Sequence, residues 1–160
     1  MHRIGFGTDI HRLVPDRPLV IGGVEIPSDL GAEGHSDADV LMHAAADAVL
    51  GSLALGDLGT HFPNDEERWR NAESSQFLLY AVGLIRERGY EVGNLDAVVH
   101  LELPKLRPHI DQMRENLATV LGVDKSHVSV KAKTGEGVDS IGERRAVSAQ
   151  VVALLHDATR

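Results

Sequence analysis

Val147-Ser148-Ala149-Gln150-Val151-Val152-Ala153-Leu154-Leu155 is the stretch on which the fold turns. Val147, Ala149, Val151, Ala153 and Leu155 share one face at period two, opposite Ser148 and Gln150, as in a strand with one covered side. The same residues also fit a helix; the alternation favours the strand. With a strand here the element order becomes β, hairpin, α, α, β, α, β, β. That order predicts an α/β (α+β) class: a single domain over residues 1–160, with a mixed β-sheet and helices packed on one face.

The upstream segments supply the other elements. Arg3 to Leu13 is too rich in glycine and polar residues for a helix and reads as a strand. Leu19-Val20-Ile21 and Val24-Glu25-Ile26 flank Gly22-Gly23, a hairpin pattern. Ser28 to His35 reads as a loop. Ser36-Asp37-Ala38-Asp39 has capping-box spacing and opens a helix rich in alanine and leucine, running to about Leu55 before Gly56. Residues Asp57 to Asn71 form a polar loop. Ser74 caps a helix over Ser75 to Arg88, stopped by Gly89. Asn94 to Leu103 and Val128 to Lys133 read as strands, and Pro108 to Leu121 as a helix ended by Gly122.

Composition narrows the chemistry. The net charge of -8 lacks the basic footprint of a nucleic-acid binder. No apolar run approaches the ~20 residues that span a bilayer. There is no cysteine, which excludes disulfides, thiolate metal sites and cysteine nucleophiles. Met1 to Gly7 lacks a signal-peptide apolar core. These features suit a bacterial cytoplasm, or a plastid for a processed chain.

The nine histidines direct attention to metal ligands. Asp9 and His11 lie two apart on a strand and so project from one face. His43, inside the first long helix, supplies a third ligand, giving two nitrogens, one oxygen and an open fourth position, as in catalytic zinc sites. Such a triplet also arises by chance, and a lone helix histidine is more often structural. His35 to Asp39 lies at a helix N-terminus, where free N–H groups favour phosphate. Asp39 and His43 are four apart, which lets Asp39 orient the imidazole; Asp37 and Asp47 read equally well as surface carboxylates. Lys131-Ala132-Lys133-Thr134-Gly135-Glu136 mixes cations, a hydroxyl and an acid directly after a strand, a mixture suited to polyphosphate with a bridging divalent ion. Lys105 alone reads as a solvated lysine.

Six segments taken together resemble one family. They are Gly7-Thr8-Asp9-Ile10-His11, Ile21 to Pro27, His35 to Ala44, Leu55 to Pro63, Pro104 to His109, and Lys131 to Glu136. In this order and over nearly the whole length they are similar to the 2-C-methyl-D-erythritol 2,4-cyclodiphosphate synthases. The resemblance implies conversion of 4-diphosphocytidyl-2-C-methyl-D-erythritol 2-phosphate to the cyclic diphosphate and CMP in the non-mevalonate isoprenoid pathway. It implies a homotrimer with each active site at a subunit boundary, and no nucleic-acid or membrane partner. Carried over, Asp9, His11 and His43 bind Zn2+, one ion per chain, and Asp9 and His11 also face the substrate. His35 and Thr134 stabilise the transition state and Ser36 holds phosphate. Asp57 and Gly59 line the erythritol pocket, beside a loop from Phe62 through Asn64 to Glu66. Leu101, Pro104, Lys105, Leu106 and Arg107, with Lys133, Thr134, Gly135 and Glu136, hold the cytidine and its phosphates. Glu136 holds a second ion, Mg2+ or Mn2+.

Two stretches depart from the commonest family pattern. Asn64-Asp65-Glu66-Glu67 replaces Asp-Thr-Asp-Pro, and Asp139 to Arg145 replaces G-F-T-G-R-G-E-G. Two other readings use the same residues: a zinc phosphoesterase or pyrophosphatase with water as nucleophile, and a trimeric binding protein with structural zinc. The second would need a fourth protein ligand, and only three are apparent.

Overall fold

The computed structural model describes residues 1–63 and 69–158. Its strands are β1 (His2–Val14), β2 (Leu19–Ile21), β3 (Val24–Ile26), β4 (Gly31–Ala32), β5 (Tyr90–His100), β6 (Val128–Lys133) and β7 (Ala146–Asp157). Its helices are α1 (Val40–Ser52), α2 (Leu58–His61), α3 (Ser75–Glu87), α4 (Ile110–Leu121) and α5 (Asp139–Gly142).

The C-terminal stretch is a strand, and it sits near the centre of the sheet. The order is β4-β1-β7-β5-β6, with β5 and β6 parallel and the other pairs antiparallel. The sheet is therefore mixed, as expected. Val147, Ala149, Val151, Ala153 and Leu155 are all 0% exposed, so the period-two face is the covered one. Leu95, Ala97 and Val99 of β5 and Val128 and Val130 of β6 continue that face. On the other side of the sheet Ile4, Phe6, Ile10 and Val152 are exposed. β2 and β3 pair as the expected hairpin, with Gly22 and Gly23 at φ 60° and 71°, a conformation glycine adopts without strain.

α1 lies against β1 and β7 and is buried nearly all round: Leu41, Met42, Ala45, Ala46, Val49 and Leu50 are inaccessible or nearly so. Small alanines let neighbours approach closely on most sides, and its polar residues His43 and Asp47 are half-buried on one face. α3 covers it with Leu78, Ala81, Val82 and Ile85, and α4 adds Met113, Leu117 and Leu121. Gly122, left-handed at φ 73°, ends α4 as expected. No helix among the described residues is long and apolar enough to cross a membrane.

Several boundaries differ from the sequence reading. α1 starts at Val40, because Asp39 and not Ser36 is its N-cap; the Asp39 carboxylate accepts from Leu41 N and Met42 N. The Ser36 hydroxyl instead accepts from Ala38 N two residues on. Ser74 precedes α3 but makes no capping bond with its side chain. β5 begins at Tyr90, with a register shift between Val92 and Asn94. Stretches expected as loops contain β4 and α2, and α5 lies in a stretch left without an assigned element.

Candidate metal site and nucleotide pocket

Two glycines bring the site together. Gly5 and Gly7 face α1 from β1, and a Cβ on either would collide with the carbonyl oxygens of Ala48 and Ala44, at 1.7 and 2.0 Å. The helix therefore rests directly on the strand backbone. The next residues on that face of β1 are Asp9 and His11, and they meet His43 of α1. Asp9 Oδ2 is 2.9 Å from both His11 Nε2 and His43 Nδ1, and the two nitrogens are 3.2 Å apart.

This spacing fits a divalent metal. Tetrahedral zinc with bonds of ~2.0–2.1 Å separates its ligands by about 3.3 Å. The far side of each ring is also held. His11 Nδ1 lies 2.9 Å from the carbonyl oxygen of Glu33, which can only accept, so Nδ1 carries a proton and Nε2, which faces Asp9, is the nitrogen a metal would take in place of the proton shared there. His43 Nε2 lies 2.7 Å from Ser74 Oγ. Burial pushes the Asp9 carboxyl up, but hydrogen bonds from His11 and His43 and their charge outweigh it and hold the group at about 2. Burial pushes His11 down, and the hydrogen bond and charge of Asp9 reverse this, so its net shift is upward. Asp9 is thus an anion ready to ligate.

The triad lies on an open cleft of about 370 Å³, lined also by His35, Ser36, Asp47, Asp57, Gly59 and Phe62. One wall is aromatic: Phe62 packs on Phe77 and Trp69, with ring centroids 4.7 and 4.9 Å apart. Asp57 caps α2 by accepting from Thr60 N, and Asp47 accepts from Leu58 N at 2.8 Å, so two carboxylates shape the α2 turn at the cleft mouth. Burial raises the Asp47 carboxyl above its ordinary value, against the hydrogen bond from Leu58.

A second cleft lies at the other edge of the sheet. Leu101, Lys105, Leu106, Arg107, Lys133 and Thr134 line a space of about 780 Å³. Thr134 Oγ1 donates to the Glu136 carboxylate at 2.9 Å, and Glu102 accepts from Gly135 N at 2.8 Å. Two strands, β7 and β5, separate β1 from β6.

A family model, the YgbB family, matches residues 2–156. The chain belongs to the YgbB family. It is 52% identical to the 2-C-methyl-D-erythritol 2,4-cyclodiphosphate synthase of Salinibacter ruber, covering 98% of this chain and 99% of that protein. It is 53% identical to the chloroplastic 2-C-methyl-D-erythritol 2,4-cyclodiphosphate synthase of Arabidopsis thaliana, over 96% of this chain and 66% of that protein. Among solved structures, the Plasmodium falciparum protein IspF in a complex with CDP superposes with a TM-score of 0.86 at 36% identity, over 98% of this chain and 96% of the other.

The YgbB chain thus brings Asp9, His11, His35, Ser36, His43, Asp57, Gly59 and Phe62 to one cleft. It gathers Leu101, Lys105, Leu106, Arg107, Lys133 and Thr134 at another, whose lining does not include Pro104, Gly135 or Glu136. Asn64 and Glu66 lie outside the described residues. One expectation is overturned: Asp39 does not orient His43. Its oxygens accept from Gly22 N and Gly23 N, at 2.9 and 2.7 Å, and from Leu41 N and Met42 N, so this fully buried carboxylate ties the hairpin to α1. Those helix N–H groups are therefore not open to phosphate. The sequence reading missed Ser74 as the partner of His43, and Phe77 and Trp69 as cleft walls. Asp47 carried a signal, since it lies one turn beyond His43 on the same face.

Proposed function

We propose that the chain converts 4-diphosphocytidyl-2-C-methyl-D-erythritol 2-phosphate to 2-C-methyl-D-erythritol 2,4-cyclodiphosphate and CMP, as a cyclising phosphorus–oxygen lyase. The observation that carries this reading is the open triad. Asp9, His11 and His43 supply three ligands at a cleft, whereas a structural zinc site is closed by four.

In the reaction an oxygen of the 2-phosphate bonds to the β-phosphorus. The bond from that phosphorus to the bridging oxygen breaks, and this oxygen leaves with CMP. The barrier is repulsion between anions, and holding both ends of one molecule makes the closure intramolecular. When bound, Zn2+ at Asp9, His11 and His43 and Mg2+ or Mn2+ at Glu136 would withdraw charge from the phosphate oxygens. His35, Ser36 and Thr134 aim donors at those oxygens. Lys105, Arg107 and Lys133 supply positive charge beside the nucleotide, and Leu101, Pro104, Leu106 and Gly135 shape its pocket. Asp57 and Gly59 receive the erythritol hydroxyls. Phe62, with Phe77 and Trp69, excludes water that would compete as nucleophile.

A homotrimer completes the site in this reading. At ~4.8 Å per strand step, β1 and β6 stand roughly 14 Å apart. The triad and Glu136 both hold the one diphosphate in this reading, which is too short to reach across that distance, and a neighbouring chain supplies the nucleotide half. The exposed Ile4, Phe6, Ile10 and Val152 offer an apolar face for such an assembly to cover. The setting is a bacterial cytoplasm or a plastid.

The test is to incubate zinc-loaded protein with the cytidylyl substrate and magnesium, reading products by phosphorus NMR. CMP and the cyclic diphosphate should appear in equal amounts. Inorganic phosphate in place of the cyclic product would favour a zinc phosphoesterase instead, and an unconsumed substrate would contradict both.

A further inference from the structure

We propose that Ser74 and Asp37 are positioning residues that hold His43 in the tautomer able to offer its Nδ1 lone pair to a divalent cation. The inference rests on the metal reading of Asp9, His11 and His43 and goes beyond it.

His43 Nε2 lies 2.7 Å from Ser74 Oγ, and Ser74 is 0% exposed, so no bulk water competes for this contact. The Ser74 hydroxyl has a single hydrogen, and it donates to the Asp37 carboxylate, which only accepts when ionised. Ser74 Oγ must then accept from His43, which keeps a proton on Nε2 and makes Nδ1, 2.9 Å from the Asp9 carboxylate, the nitrogen that a cation takes in place of the proton shared there. Asp37 is itself fixed. It accepts from Ser74 N at 3.0 Å and from Asp39 N at 3.1 Å, and its own N donates to Ala72 O at 3.1 Å. Helix capping does not account for Ser74, because its side chain makes no capping bond to α3. Ser36 Oγ, 3.3 Å from the same Nε2, is the more distant acceptor.

The opposite arrangement has a definite signature. Were Asp37 an amide, its NH2 group could face Ser74 Oγ, and the hydroxyl would turn to donate to Nε2. The His43 proton would then sit on Nδ1 and block the metal position. Asp37→Asn and Ser74→Ala should therefore share one defect.

The experiment measures zinc affinity by competition with a chromophoric chelator, for wild type, Ser74→Ala, Asp37→Asn and the control His43→Ala. Nitrogen-15 NMR of the zinc-loaded His43 ring accompanies it. Ser74→Ala and Asp37→Asn should bind zinc about 10–100-fold more weakly than wild type. The wild-type ring should carry zinc on Nδ1 and a slowly exchanging proton on Nε2, and that proton should exchange faster in Ser74→Ala. Wild-type protein that binds no zinc overturns the metal reading and this inference with it. Tight zinc in wild type and equally tight zinc in both variants overturns the positioning role alone, as does zinc on Nε2. If Ser74→Ala lacks a cooperative thermal transition, Asp37→Asn and the wild-type ring assignment decide the matter in the same way.

Discussion

A methyl group on Gly7 would stand 2.0 Å from the carbonyl oxygen of Ala44, so β1 and α1 touch backbone to backbone beside the metal triad. The contact is what lets Asp9, two residues along the strand, reach His43, one residue before Ala44. Gly7→Ala should force the helix away from the strand. Overpacking of this kind costs about 1–3 kcal/mol, and the displaced His43 should lower zinc affinity as well. Gly83→Ala is the contrasting change, since a Cβ there meets nothing within 4 Å. In a helix interior it should stabilise by about 0.5–1 kcal/mol. Thermal denaturation and zinc competition on both variants check the pair.

The metal-free protein should lose stability on both sides of mildly acid pH. Asp9 is held at about 2, below its ordinary value of 3.8, so its contribution is present above about pH 4 and is lost as pH falls toward 2. His11 is raised above 6.5, so its contribution is complete below pH 6.5 and is lost as pH rises through the raised value. Zinc must displace the His11 proton, so its affinity should rise over the range in which the metal-free protein weakens. Melting curves of chelator-treated wild type and His11→Gln across pH isolate this effect. A wild-type loss of stability above pH 6.5 that persists undiminished in His11→Gln would contradict the assignment.

Glu136→Gln should impair turnover while leaving zinc binding intact. Its carboxylate lies beside Thr134 in the nucleotide half, across two strands from the triad. CMP formation across a magnesium titration reads the effect, and activity equal to wild type at low magnesium would count against a second-ion role.

Much of this was legible in the sequence, for identifiable reasons. Apolar residues at period two from Val147 to Leu155, with Ser148 and Gln150 opposite, favoured the central strand over a helix, because a sheet with one covered face imposes that period. Asp9 and His11 shared a face for the same reason. His43 could be placed on α1 but not against β1, since the approach depends on Gly5 and Gly7 meeting Ala48 and Ala44, a tertiary fit that local patterns do not encode. Asp39 looked like a partner of His43 from its helical spacing. It was claimed instead by Gly22 and Gly23, whose N–H groups come from a hairpin 17 and 16 residues earlier, beyond the reach of helical spacing. Ser74 looked like a helix cap for the same local reason, while its hydroxyl had a better acceptor in Asp37.

Mixed assemblies test the shared site. His43→Ala removes the triad half and Glu136→Ala the nucleotide half, and each alone should be inactive. In a cyclic trimer containing both variants, one of three boundaries joins two intact halves. Random 1:1 co-refolding makes about three quarters of trimers mixed, so roughly a quarter of wild-type activity should return. Mixtures that stay inactive, while wild type refolded alongside recovers, would falsify the shared-site account.

The central claim is that the Asp9–His11–His43 triad is a catalytic metal site, and a zinc titration of metal-stripped protein tests it most directly. With magnesium and the cytidylyl substrate present, CMP formation should be near zero without zinc. It should then rise in proportion to added zinc and level off at one equivalent per chain, with the cyclic diphosphate formed in step. Full CMP formation by the stripped protein, with zinc adding nothing, would contradict it.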